Sequence, residues 1–94
     1  DLVIPALERT SGKMAGEHFG AVSNPEFLRE GTSIKDFDNP PFTLIGADED
    51  RSATLVAALY AGIKAEVHVV PVRVSEMVKY ACNAFHALKV AFAN

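Results

Sequence analysis

Asn24-Pro25-Glu26-Phe27-Leu28-Arg29-Glu30-Gly31 is the stretch on which the reading of this chain turns. It follows Phe19-Gly20-Ala21-Val22-Ser23, whose composition reads as a short buried strand. Pro25 has no N–H to give a sheet ladder and biases Asn24 towards extended geometry, and Gly31 closes the segment. The spacing predicts a short element that holds Glu26 and Glu30 one helical turn apart. Paired carboxylates between a strand and a helix occupy the position where an open α/β sheet carries its chemistry. The structural alternative is a helix N-terminus whose acidic residues complement the macrodipole.

Outward from this octet, residues 2 to 11 fit a helix, with Val3 and Leu7 on one face, Pro5 in its first turn and Gly12 as its stop. Residues 33 to 41 read as turn and short helix, and Phe42 to Ile45 as a second strand ended by Gly46. Asp48, Glu49 and Asp50 load a helix N-terminus with negative charge, and Leu55, Val56, Leu59 and Tyr60 then recur at helical spacing until Gly62. Glu66 to Val70 is a third β-branched run stopped by Pro71, and one long helix runs from about Ser75 to the end. This alternation predicts an α/β class: a three-stranded piece, too short for a complete doubly wound sheet, whose last helix leaves the sheet. An exposed sheet face or edge is expected. No internal repeat, low-complexity tract or flexible linker interrupts it.

Composition narrows the function. A chain of 94 residues that is 49% hydrophobic can build one core. Its net charge of −3 and scattered Lys and Arg give no basic field for nucleic acid. No apolar run approaches the roughly twenty residues that span a bilayer, and no signal segment opens the chain, so no membrane partner is expected. The single Cys82 excludes an intramolecular disulfide, no Cys/His spacing suits zinc, and the cytoplasm is the default compartment. The chain starts at Asp1 before an apolar run and stops at Asn94 inside an uncapped amphipathic pattern, as a piece of a longer protein would.

On the last helix, Glu76, Lys79, Asn83, His86 and Asn94 fall within a wedge of about 80° at about 100° per residue. The rest of its surface is dominated by Met77, Val78, Tyr80, Ala81, Phe85, Leu88 and Phe92. A helix apolar on most sides is usually buried, so this polar line, roughly 27 Å long, faces water, a partner or an extended polar ligand. Cys82 lies on the apolar side without a neighbouring base and is expected to pack in the core. His18 and His68 carry no recognisable pattern.

Taken together, the octet, the following Thr32-Ser33-Ile34-Lys35-Asp36-Phe37, the Thr43-Leu44-Ile45-Gly46 strand and the Ser75-Glu76-Met77-Val78-Lys79-Tyr80-Ala81-Cys82-Asn83-Ala84-Phe85-His86-Ala87 helix resemble the nucleotide-sugar 6-dehydrogenases, the family of UDP-glucose and GDP-mannose dehydrogenases. The resemblance runs along nearly the whole chain in order. His86, three residues after Asn83 and with Cys82 before it, is most similar to the GDP-mannose branch that supplies alginate precursor.

The resemblance implies a parent enzyme that oxidises the sugar C6 twice with two NAD, through an aldehyde and a cysteine-bound thioester, to the uronic acid. Glu26 matches the family's base for the hydrolytic water, a task suited to a carboxylate if burial raises its pKa towards neutrality. Lys79 and Asn83 match the residues that hydrogen-bond the oxyanion and the sugar, and Glu30, His86 and Asn94 match positions that contact the nucleotide sugar. By the same resemblance, residues 1–72 are the C-terminal part of the NAD-binding domain and residues 73–94 begin the central helix through which the family forms homodimers. The GxGxxG loop is absent and the nucleophilic cysteine should lie downstream, so the piece alone carries half a site and is inactive. A UDP-glucose 6-dehydrogenase, or a dimerisation module with a merely solvated stripe, are the alternatives.

Overall fold

The structure, a computed structural model, describes residues 2–94. Its elements in chain order are α1 (Val3–Ser11), β1 (Val22–Ser23), α2 (Ser33–Asp38), β2 (Phe42–Ala47), α3 (Asp50–Leu59), β3 (Glu66–Val70) and α4 (Val72–Ala93). The three strands form one sheet in the order β1-β2-β3. β2 and β3 are parallel, with Phe42 opposite Glu66 and Gly46 opposite Val70, and β1 adds antiparallel, with Val22 opposite Ala47. The parallel pair is joined by a crossover through α3, the α/β unit that the alternation predicts.

The core sits on β2. Thr43, Leu44, Ile45 and Gly46 are consecutive and all buried, and consecutive strand residues point to opposite faces, so both faces of this strand are covered. α3 and α4 supply the cover. β3 is mostly exposed, with Val67 and Val69 open to solvent, which is the exposed edge expected from the sequence.

Gly46 lies inside β2 instead of ending it, because α4 crosses the strand there. A Cβ on Gly46 would sit 2.4 Å from the Cβ of Ser75, which is itself fully buried. α4 also starts three residues earlier than the sequence suggests. Asp48 at the end of β2 accepts a hydrogen bond from the Val72 N–H at 3.1 Å, satisfying one of the donors that a helix start leaves free.

The first strand shrinks from the expected residues 19–23 to Val22–Ser23. At Gly20 the chain runs so close to α3 that an added Cβ would meet Ser52 Oγ at 1.8 Å, so it is steered by the helix before it reaches β2. In α3 the buried residues are Ser52 and Ala53, while Leu55 and Leu59 are exposed. With Val56, Ala57 and Tyr60 half-buried, the contact face is a wedge of about 140°, and Leu55 and Leu59 lie beside it. α1 ends as expected at Gly12, which takes φ 69° and donates to the Glu8 carbonyl, but no residue of α1 is buried.

Candidate functional site

Residues 24–29 are not helical, contrary to the expected turn, and so Glu26 and Glu30 are not stacked on one helix face. Side-chain carboxylates take the backbone donors that a helix would have used. Glu26 Oε2 accepts from the Leu28 N–H at 2.8 Å and Asp36 Oδ2 accepts from the Arg29 N–H at 3.0 Å. Gly31, at φ 82°, then turns the chain into α2.

Asn24 anchors the start of the segment. Its Nδ2 donates to the Leu44 carbonyl at 2.9 Å and its Oδ1 accepts from the Tyr60 hydroxyl, tying the octet to β2 and to the end of α3. The far end is tied by Arg29, whose Nη2 and Nε donate to the two oxygens of Asp36 at 2.8 and 3.0 Å, with Thr32 Oγ1 donating to the same carboxylate at 3.1 Å. This forked pair holds the Asp36 carboxyl far below the usual carboxylate range and raises Arg29 in return.

Between these anchors, Glu26 meets Lys79 of α4, 53 residues away in sequence. The Lys79 ammonium donates to Glu26 Oε1 at 2.8 Å and also to the Glu26 backbone carbonyl, and it stands 5.2 Å from the centre of the Phe27 ring. α4 is brought to this position by its contact with β1, where Ser75 Oγ lies 3.1 Å from Ser23 Oγ and donates to the Ser23 carbonyl at 3.2 Å. Lys79 is one turn further along the same side of the helix.

The Glu26 carboxyl is lowered from its ordinary value, first by the Lys79 hydrogen bond, then by the Leu28 N–H and by the Lys79 charge. Burial pushes it the other way but least of these effects: the side chain is 62% exposed, too wet for desolvation to outweigh the lysine. The expectation that burial raises its pKa towards neutrality is therefore corrected for this chain by itself.

The remaining sequence-predicted residues are not gathered around this pair. Glu30 is exposed in the turn before α2, and Asn83, His86 and Asn94 are exposed along α4. The residues by which α4 packs, Val72, Ser75, Val78 and Lys79, span about 120° of the helix, and the polar stripe overlaps that span. The stripe thus continues, uncovered, the side that faces the sheet and the octet. Cys82 is exposed, not packed in the core, because beyond Lys79 no described element lies against α4.

A cleft of about 280 Å³ runs along the octet, lined by Glu26 among others and walled by Phe27, Phe37, Phe42, Tyr60 and the Pro40-Pro41 turn. Phe27 and Phe42 meet with ring centres 5.5 Å apart and their planes tilted by 58°. Asn24, Asp36 and Tyr60 hold the site's frame and escaped the sequence reading as site residues. An Asn before Pro is a signal that marks the first; Tyr60 carries none beyond its place at helical spacing with Leu55, Val56 and Leu59.

The described residues offer NAD two parallel strand-to-helix turns: the one between β2 and α3 carries Asp48, Glu49 and Asp50, with Glu49 committed to Ser52, and the one between β3 and α4 is Pro71 alone, with the next N–H, of Val72, committed to Asp48. Carboxylates at a helix start repel a diphosphate, so these residues do not fit the cofactor. No helix among the described residues is long and apolar enough to cross a membrane.

Comparison with known proteins agrees with the resemblance. Residues 1–64 match the model of the UDP-glucose/GDP-mannose dehydrogenase family, NAD binding domain. The chain is 52% identical over all its 94 residues to a GDP-mannose 6-dehydrogenase of Pseudomonas putida and covers 22% of that protein. It is 39% identical to a UDP-glucose 6-dehydrogenase of Haloferax volcanii, with all of the chain and 23% of that relative aligned. A crystal structure of a ternary complex of GDP-mannose dehydrogenase from Pseudomonas aeruginosa superposes with a TM-score of 0.95 at 49% identity, covering all of this chain and 22% of that one. The chain therefore spans about a fifth of the length of the curated relatives it matches. A family match over the first two-thirds of the sequence, with the same fold and about half the residues shared along its whole length, means that the chain belongs to the UDP-glucose/GDP-mannose dehydrogenase family.

Proposed function

We propose that the full-length protein is an NAD-dependent GDP-mannose 6-dehydrogenase, which oxidises the C6 alcohol of the nucleotide sugar twice to the uronic acid and feeds alginate synthesis in the cytoplasm. The observation that carries this reading is the meeting of Lys79 and Glu26 across 53 residues, which puts a fixed cation and a carboxylate at one point on the side of the octet faced by the polar stripe. NAD supplies the oxidant from a part of the protein upstream of this chain, and a downstream cysteine carries the thioester. Residues 1–72 complete the NAD-binding domain, residues 73–94 begin a helix through which two copies pair, and the 94 residues alone are inactive.

Lys79 and Asn83, one turn apart, donate to the oxygen that becomes anionic when water adds to the thioester carbonyl. Preset donors stabilise that charge without the reorganisation water would need. Glu30, from the turn before α2, and His86 and Asn94, along the stripe, contact the nucleotide sugar. Glu26 takes the proton of the attacking water. While Lys79 is bound directly to it, its carboxylate is ionised but weakly basic. When a developing oxyanion draws the ammonium away, the carboxylate regains basicity at the moment a proton must move.

Six GDP-mannose 6-dehydrogenases are 49% to 52% identical to this chain over its 94 residues, against 39% to 42% for UDP-glucose enzymes, which favours GDP-mannose over UDP-glucose. The test is an NAD reduction assay of the full-length protein with both nucleotide sugars. Two NADH per GDP-mannose and a much lower rate with UDP-glucose are expected. The reverse preference makes it a UDP-glucose 6-dehydrogenase, and no reduction with either leaves a dimerisation module.

A further inference from the structure

We propose that Asp36 is a positioning residue that holds Glu26 in register with Lys79. Its carboxylate, with a side chain only 15% exposed, accepts four hydrogen bonds: from the backbone N–H, Nε and Nη2 of Arg29 at 3.0, 3.0 and 2.8 Å, and from Thr32 Oγ1 at 3.1 Å. The adjacent N–H of Leu28 is held by Glu26 itself. Two successive peptide groups are therefore locked, one by each carboxylate, and the lock fixes the direction in which Glu26 leaves the backbone.

The same two donors would otherwise be free for the helical turn that the octet's own spacing favours. In that turn Glu26 would stand over Glu30 and the carbonyl of residue 26 would accept from residue 30, which removes both of its present bonds to the Lys79 ammonium. Asp36 thus acts at a distance, through the backbone, and touches neither Lys79 nor any reacting atom.

The catalytic consequence rests on the reading of Glu26 as the hydrolytic base; the geometric one does not. The experiment uses the full-length protein carrying Asp36→Asn, which keeps the shape and removes the charge, with Glu26→Gln as a control. The expected crystal structure of the variant has the Glu26–Lys79 contact broken. Turnover should fall on the order of 10- to 100-fold, as for a reacting group displaced by about 1 Å, with KM changed less than about twofold. The acid limb of the kcat profile should move to higher pH, since Glu26 is no longer held low by Lys79. A variant crystal that keeps the contact overturns the proposal, whatever the rates. A broken contact with unchanged rates, and a Glu26→Gln control that turns over normally, supports the positioning and sinks the catalytic reading of Glu26. Should Asp36→Asn fail to fold, Arg29→Gln on the exposed side of the pair must give the same displacement in smaller degree, and an undisturbed Glu26 in that variant overturns the proposal equally.

Discussion

Lys79 and Asn83 are both donors on one helix face, yet they differ in charge and in what holds them. Lys79 is fixed by Glu26 and Phe27, whereas Asn83 is exposed along α4. A preset charge stabilises an oxyanion more than a neutral donor, so in the full-length protein Lys79→Ala should cost more turnover than Asn83→Ala, with the single-donor loss on the order of 100-fold. The loss should fall on kcat, because the charge it stabilises develops only along the reaction. Glu26→Gln should instead let thioester accumulate, visible in rapid mixing as a burst of NADH before slow turnover. Normal rates for Lys79→Ala and Glu26→Gln together would make the pair a surface contact.

The Arg29–Asp36 pair makes its own prediction about acid. The folded carboxyl of Asp36 titrates below its unfolded value of 3.8, so its contribution to stability is complete above about pH 5 and decays as the pH falls below 3.8 towards the folded value. The difference in melting temperature between wild type and Asp36→Asn should therefore be constant above pH 5 and shrink below it. A difference that grows on acidification would contradict the pairing.

At the scale of elements, the docking of α4 on β2 depends on a missing side chain. Gly46→Ala places a methyl group 2.4 Å from Ser75 Cβ, too close for either backbone to hold its position, and overpacking of this kind costs about 1–3 kcal/mol. Thermal unfolding should show the loss, and turnover should drop further than stability explains, because Lys79 moves with the helix. Adding Ser75→Gly removes the opposing Cβ and should recover part of both. The octet teaches the complementary lesson. Its residues have helical spacing, but the carboxylates of Glu26 and Asp36 take its backbone donors and Lys79 takes the Glu26 carbonyl, a contest between local and non-local hydrogen bonds that spacing does not reveal.

At the scale of the whole molecule, the 94 residues build a core on a single strand and leave large apolar side chains outside it. Phe92 is 93% exposed, Tyr80 76% and Leu59 81%, and these belong to helices whose sheet-facing sides are already used. Exposed apolar surface of this extent drives association. The isolated chain should therefore sediment as dimers or larger species at high concentration. A monodisperse monomer would show that the stripe and its apolar flanks are compatible with water.

Local signals in the sequence set the order and type of every element except the octet, whose spacing predicts a helical turn that does not form. Glu66–Val70 is a strand and Gly12 ends the first helix as read, because β-branched side chains restrict the backbone towards extended geometry and glycine takes the left-handed cap at little steric cost. The sequence also carried the family, through the octet and the Lys79 helix. The tertiary structure alone decided which of the candidate residues meet. Lys79 reaches Glu26 while Asn83, His86 and Asn94 stand apart from it, and Cys82 faces water where helix periodicity placed it in a core. Contact depends on where one element ends against another, and α4 outruns the sheet just after Lys79, a fact of three-dimensional packing that no spacing along a single helix records.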